Sequence, residues 1–258
     1  MTGLYDIHCH LLPGVDDGAK NLEESKWLLR KEYEDGVRNI IVTPHFRYKM
    51  FEPPLEVVKR QFLRVQAAAE EVAGDLTLYL GCELHSSMDM VSCLKKGERL
   101  TMAGSRYVLV EFSYGDEKAY IKERVQQLKL NGYNPIVAHV ERYKATRGDL
   151  HFIDELKDLG AYIQVNADTI SGKDGFGVKR FAKKLMKQDL LDFVGTDGHR
   201  KTERTPDMGK CYLQMVKTMG EDYTREILIK NPRKITGSWR EKDGKSDKRK
   251  SGSGNRLR

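Results

Sequence analysis

The chain has 258 residues with 45 Lys/Arg against 38 Asp/Glu, a net +7, and is long enough for one large domain or two small ones. Residues 238–258 hold eight Lys/Arg against three Asp/Glu, which leaves only +2 for the body and gives it no nucleic-acid-binding charge. Four irregularly spaced cysteines (Cys9, Cys82, Cys93, Cys211), no apolar run near about 20 residues and no signal-peptide start exclude a disulfide scaffold and a bilayer span, so a cytoplasmic protein is expected.

In chain order, β-rich runs at 4–8 (LYDIH), 38–43 (RNIIVT), 77–82 (TLYLGC), 106–112 (RYVLVEF), 135–140 (PIVAHV), 161–166 (AYIQVN) and 192–197 (DFVGTD) predict seven strands. Between them apolar residues recur at helical spacing, as in Leu55, Val58, Phe62, Val65, Ala69 and Val72, and again in Ile121, Val125 and Leu128. Asn21 followed by Glu24 reads as a capping box opening a helix that ends near Asp35, with Gly36 as its stop. The stripe Met208, Tyr212, Met215 and Met219 has helical spacing and is assigned to the core. Strands alternating with helices imply parallel pairing and an α/β class. Steady alternation without a linker before residue 237 favours one closed or nearly closed barrel over residues 1–236. An open doubly wound sheet would carry a Gly-rich turn after its first strand, where this chain has histidines. Residues 237–258 are expected to be a disordered basic tail: a solvated appendage, or a tether to an anionic membrane surface or an acidic partner.

Nearly every expected strand ends in a residue able to bind metal: His8 and His10, His45, Glu83, Glu111, His139, and Asp197 with His199, joined by Asp17 from the first loop. In a parallel barrel the strand C-termini open on one face, so these nine donors should converge there. One such residue alone would be an ordinary rim side chain; five of seven histidines at strand ends is a pattern. His85 and His151 fall outside it and read as surface residues, and Asp16 reads as a turn acid. Mixed imidazole and carboxylate donors suit Mn²⁺, Fe²⁺ or Zn²⁺, and nine exceed the need of one ion, so two or three are implied. Such ions would generate a nucleophilic water near neutral pH and bind the oxygens of a phosphate ester.

These residues, in this order, resemble the polymerase and histidinol phosphatase (PHP) superfamily. Within it, DIHCHLLPGVDDG, TPHF, GCELH, YVLVEF, VAHVERY, GTDGH and NPRKI resemble the manganese-dependent protein-tyrosine phosphatases of bacterial capsule and exopolysaccharide operons, over about residues 3–236. The resemblance implies a distorted seven-stranded (β/α)7 barrel with three metals: His8, His10, Glu83 and Asp197 on one, Glu83, Glu111 and His139 on a second, Asp17, His45 and His199 on a third. It implies that Arg142 and Arg204 bind phosphate oxygens. It also implies a phosphotyrosine protein as substrate, the C-terminal tail of a tyrosine kinase that controls polysaccharide export. Phe46, Tyr48, Met50, Phe51 and Tyr114 lie just beyond strand ends, where they could flank a phenyl ring or simply anchor loops.

A histidinol-phosphate or other small-molecule phosphatase of the same superfamily is the alternative. A binding protein with structural metals fits less well, because structural sites are closed and use few ligands. An amidohydrolase would need a lysine where Glu111 stands. The spacing Cys93-x5-Arg99 imitates thiol-dependent tyrosine phosphatases, but the segment DMVSCLKKGERL has helical character and precedes a strand instead of following one. Cys93→Ser is therefore expected to leave phosphotyrosine hydrolysis unchanged, as read from phosphate release by purified, folded protein.

Overall fold

Nearly continuous apolar runs in short β-branched segments give strands with two buried faces, as a parallel sheet covered by helices requires. The computed structural model describes residues 2–237. The strands are β1 (Leu4–Cys9), β2 (Val37–Val42), β3 (His45–Phe46), β4 (Thr77–Leu80), β5 (Glu83–His85), β6 (Tyr107–Glu111), β7 (Asn134–Val137), β8 (Tyr162–Asn166) and β9 (Phe193–Gly195). The main helices are α1 (Leu22–Glu34), α2 (Leu55–Val72), α3 (Met90–Lys95), α4 (Lys118–Leu130), α5 (Leu150–Asp158), α6 (Ala167–Ser171), α7 (Phe176–Lys187) and α8 (Met208–Met219). Every strand pair is parallel, in the orders β1-β2-β4 and β3-β5-β6-β7-β8-β9. The result is a curled parallel sheet with helices outside, the α/β class expected.

Two expected strands are interrupted. Thr43–Pro44 separates β2 from β3, and Gly81–Cys82 separates β4 from β5, because proline cannot donate to a ladder and glycine leaves no side chain to pack. The ladder is bridged all the same: Gly81 N donates to Val42 O (2.8 Å) and Glu83 N to Pro44 O (3.1 Å). At the other margin Asp197 N donates to His8 O (2.7 Å) and His10 N to Gly198 O (2.8 Å), joining β1 to the segment after β9.

Inside the curl, Tyr5, Ile7, Ile41, Tyr79, Leu109, Ile136 and Phe193 form an apolar floor closed by Ile235, and a larger core fills the space between sheet and helices. Period-two alternation then dictates what stands above the floor: Leu109 is followed by Glu111, and Phe193 by Gly195 and Asp197. On β1 alternation alone would turn His8 outward. The pairing with β2 takes three residues from Asp6 to Cys9 against two from Ile40 to Val42. That bulge shifts the parity, so Ile7 stays in the floor, Cys9 joins the outer core and His8 and His10 face inward.

The helix at 22–34 is capped by Asn21, whose side chain accepts from Glu24 N at 2.9 Å. The Glu24 carboxylate closes its half of the box on Lys20 N rather than on Asn21 N. Met208 and Met215 are fully buried, as expected, while Tyr212 is half-buried and its hydroxyl donates to Glu221. The expected tail lies, apart from Gly237, outside the described residues.

Gly195 marks a close approach of two strands. A Cβ there would stand 2.4 Å from His8 Cβ, so only glycine lets β9 approach β1 this closely. Gly195→Ala is expected to cost about 1–3 kcal/mol, the range for forcing a methyl group into a packed interior, and to lower Tm by several degrees. Gly74→Ala, where an added Cβ meets nothing within 4 Å, should leave Tm unchanged in the same calorimetric comparison.

Candidate metal centre

The nine residues expected to converge do so, above the apolar floor. Glu83 is the hub. Its fully buried carboxylate lies 3.2 Å from His8 Nε2, 3.4 Å from His10 Nε2, 2.9 Å from His45 Nδ1 and 2.9 Å from His139 Nε2. Asp197 forms a second hub, with His8 Nε2 at 3.5 Å, His10 Nε2 at 3.4 Å and His199 Nδ1 at 3.5 Å from Oδ1. Asp17 Oδ1 lies 3.5 Å from His45 Nε2 and 3.4 Å from His199 Nε2. Glu111 lies 3.8 Å from His139 and 3.9 Å from His45.

Side chains able to hold a cation gather in three groups: His8, His10, Glu83 and Asp197; His10, Asp17, His45 and His199; and His45, Glu83 and Glu111. The first matches the expected set. The second adds His10 to its expected set, and in the third His45 takes the place expected of His139. The donor set fits divalent metal ions. Six of its buried polar atoms make no well-aligned hydrogen bond: Asp17 Oδ1, His45 Nδ1, Glu83 Oε2, Glu111 Oε2, His139 Nδ1 and His199 Nε2. Contacts among them, as between His45 Nδ1 and Glu83 Oε2 or His199 Nε2 and Asp17 Oδ1, are at ion-pair distances only. Burying so many polar atoms without hydrogen bonds is costly unless something charged completes them. The separations of 3.2–3.5 Å within the first group also suit nitrogen and oxygen ligands sharing one ion at about 2.0–2.2 Å.

The electrostatics are those of crowded, mutually supporting charges. Burial disfavours ionisation of Glu83, yet the charges of His8 and His45 hold its carboxyl well below its usual range. Asp197 is likewise held well below, against burial, chiefly by Arg142 and then His8. Burial opposes the charged forms of His8 and His45, but Glu83 raises both. Burial lowers His139, and burial with the nearby His10 charge lowers His199 to about 4. Glu111, buried and facing Glu83, is pushed up to about 7.

Three residues of the supporting shell were not singled out as functional from sequence. The Asp16 carboxylate is buried, not that of a free turn acid: its Oδ2 accepts from His10 Nδ1 (2.8 Å) and from His45 N (2.9 Å). Gln164 Oε1 accepts from His8 Nδ1 (3.2 Å) and His139 N (2.8 Å). Gln164 Nε2 donates to Asn166 Oδ1 (2.9 Å), and Asn166 Nδ2 donates to Asp197 Oδ2 (3.1 Å). With His199 Nδ1 donating to Asp197 O (2.7 Å), these bonds keep a proton on Nδ1 of His8, His10 and His199 and turn Nε2 toward the centre. Polar residues alternating along AYIQVN, a strand with two buried faces, were the available signal.

Arg142 Nη1 lies 2.5 Å from Asp197 Oδ2, and Arg204 Nη2 lies 2.8 Å from Asp17 Oδ2, so both guanidiniums border the centre. His139 (φ 28), Asp197 (φ 52) and Arg204 (φ 49) all adopt positive φ, backbone strain gathered at one site. Of the aromatic residues, Phe51 stacks on His45 (ring centroids 5.3 Å apart) and Phe46 lies under the Arg99 guanidinium, while Tyr48, Met50 and Tyr114 are exposed. His151 is exposed, as expected. His85 is half-buried instead, with Nε2 3.1 Å from Ser113 Oγ. Cys93 sits in α3, where burial and Asp89 raise its thiol, the opposite of what a nucleophile needs.

The family model for capsular polysaccharide synthesis, CpsB/CapC, matches residues 4–237. The tyrosine-protein phosphatase CpsB of Streptococcus pneumoniae is 38% identical over 237 residues, which are 90% of this chain and 98% of that protein. The tyrosine-protein phosphatase YwqE of Bacillus subtilis is 27% identical, over 88% of this chain and 92% of that protein. A crystal structure from the work on YwqE and CpsB, described as unique metal-dependent tyrosine phosphatases, superposes with a TM-score of 0.77 at 28% identity, covering 86% of this chain and 90% of that one. An amidohydrolase from Mycoplasma synoviae, with a TM-score of 0.61 at 13% identity over 91% and 87% of the two chains, shares the fold alone. The chain belongs to the CpsB/CapC family of capsular polysaccharide synthesis.

Proposed function

We propose that this protein is a metal-dependent protein-tyrosine phosphatase, a phosphoric monoester hydrolase. The observation that carries this reading is the buried Glu83 carboxylate among four imidazoles, beside two guanidiniums, in a chain whose named relatives are tyrosine phosphatases. His8, His10, Glu83 and Asp197 would hold one ion, Glu83, Glu111 and His139 a second with His45 also within reach, and Asp17, His45 and His199 a third with His10 beside them. Manganese is the proposed ion, with iron or zinc chemically suited to the same donors. Taking β2 with β3 and β4 with β5 as single kinked strands gives the finer reading of the fold, a distorted (β/α)7 barrel of the PHP type. Residues 1–236 form the catalytic unit, and 237–258 a basic tail suited by charge to an anionic membrane surface or an acidic partner. The substrate is the phosphotyrosine-bearing tail of a tyrosine kinase that regulates capsule synthesis, and the reaction is cytoplasmic.

Divalent ions, when bound there, supply the charge that activates water and neutralises phosphoryl oxygens. The chain's own residues do the rest. Arg142 and Arg204 each spend part of their donor set on a carboxylate that borders the site, Asp197 and Asp17 respectively. Those contacts anchor the guanidiniums, and their remaining N–H groups can bind phosphoryl oxygens and offset charge that grows in the transition state. Asp16, Gln164 and the Asp197 carbonyl hold the histidines in one orientation, so the donors need not reorganise. The Phe51–His45 stack fixes one wall, and exposed Tyr48 and Tyr114 are available to a phenyl ring.

The direct test is phosphate release from a phosphotyrosine peptide. Chelator-treated protein should be inactive, added Mn²⁺ should restore turnover, and folded His139→Ala should lose about 100-fold or more. Faster turnover of histidinol phosphate than of the peptide would reverse the substrate assignment. Gln164→Leu should keep the fold and weaken Mn²⁺ binding by about 10–100-fold, the usual loss when a residue that orients a ligand is removed. Calorimetric titration with Mn²⁺ reads this independently of activity.

A further inference from the structure

Helix α7 differs from the other surface helices in how its charge is balanced. Its sequence, FGVKRFAKKLMK, holds five basic residues and no acid. Several surface lysines on other helices pair with carboxylates of neighbouring helices or of their own, as in Lys26–Glu71, Lys122–Glu155 and Lys230–Glu226. Among the described residues Arg180, Lys183, Lys184 and Lys187 have no ion-pair partner, and all four are exposed. Val178, Phe181, Ala182, Leu185 and Met186 anchor the opposite face in the core, so the cationic row is held rigidly outward.

Two further observations give this face a direction. Phe176, at the first position of α7, is 81% exposed. Behind it runs a shallow groove of about 430 Å³, bounded by Phe176, the lysine stems and Gln214 of α8. The N-terminal end of α7 also lies on the side of the candidate metal centre, because the helix returns antiparallel to β8. It packs against the turn Val140–Arg142, and Lys173 just before it donates to Thr205 O, next to Arg204.

We propose that α7 is a docking face for an anionic phospholipid bilayer. Lysines along one helix meet laterally mobile phosphate headgroups without a fixed register, their methylene stems lie along the interface, and the Phe176 ring enters the headgroup boundary. Docked in this way, the bilayer borders the rim formed by Arg142 and Arg204, and the site opens beside the membrane surface.

The test is co-sedimentation of the full chain with vesicles of phosphatidylcholine alone and of phosphatidylcholine mixed with phosphatidylglycerol. Binding is expected only to the mixed vesicles and should weaken as salt rises. The double variant Lys183→Glu, Lys187→Glu should bind about tenfold or more weakly, and Phe176→Ser should bind more weakly than the parent. Both should keep the parent's circular dichroism and its turnover of a soluble phosphotyrosine peptide. Equal binding to neutral vesicles would overturn the proposal. So would α7 variants that bind as the parent does while Lys248→Glu, Arg249→Glu, Lys250→Glu in the tail abolishes binding. Capture of soluble polyglutamate without vesicle binding would point instead to an acidic protein partner and would also overturn it.

Discussion

A carboxylate buried without solvent among four imidazoles is the constraint on which this structure turns. Glu83 must lose its hydration to sit there, and a bare buried charge would be intolerable. The fold answers by bringing His8, His10, His45 and His139 to it from three other parts of the sheet. Were the imidazoles to give up their protons, as metal ligands must, the carboxylates of Asp16, Asp17, Glu83, Glu111 and Asp197 would outweigh Arg142 and Arg204 by three charges. A site that keeps such an excess calls for cations to complete it. The geometric oddities follow: the β1 bulge turns His8 inward, Gly195 makes room beside it, and His139 and Asp197 accept strained backbone to aim their side chains.

Much of this was legible in the sequence because two periodicities coincide. Parallel strands alternating with helices put every strand C-terminus on one face, so polar residues at strand ends could be assembled before their distances were known. The metal-binding candidates were conspicuous for that reason. What could not be read was whatever depends on parity or on distant partners. Ile7 and His8 are neighbours in sequence and face the same interior only through a bulge. Asp16 looked like a turn acid because its value lies in two contacts, to His10 and to His45 N, and the second comes from a segment 29 residues away. Gln164 serves His8, 156 residues distant, and no local pattern encodes such a pairing. The breaks at Thr43–Pro44 and Gly81–Cys82 carried their own signals, proline and glycine inside strand-like runs. Their meaning was a kink in a continuing ladder rather than an end.

The shared fold of an amidohydrolase sharpens what decides the chemistry here. At 13% identity the scaffold persists while the site does not have to, since a curled parallel sheet dictates where donors stand and not which donors they are. In this chain the end of the fourth expected strand carries Glu111, pushed up to about 7 by burial and by facing Glu83. Two carboxylates held this close resist sharing the space as anions. Their coexistence makes sense beside cations, and Glu111 Oε2, Glu83 Oε2 and His45 Nδ1 lie together at that point. Arg142 and Arg204, meanwhile, approach the same centre from the rim through Asp197 and Asp17, so positive charge stands where an anionic group would enter. A site that is cation-hungry at its base and guanidinium-lined at its mouth is built for an anion that must meet both. Phosphate esters meet that description.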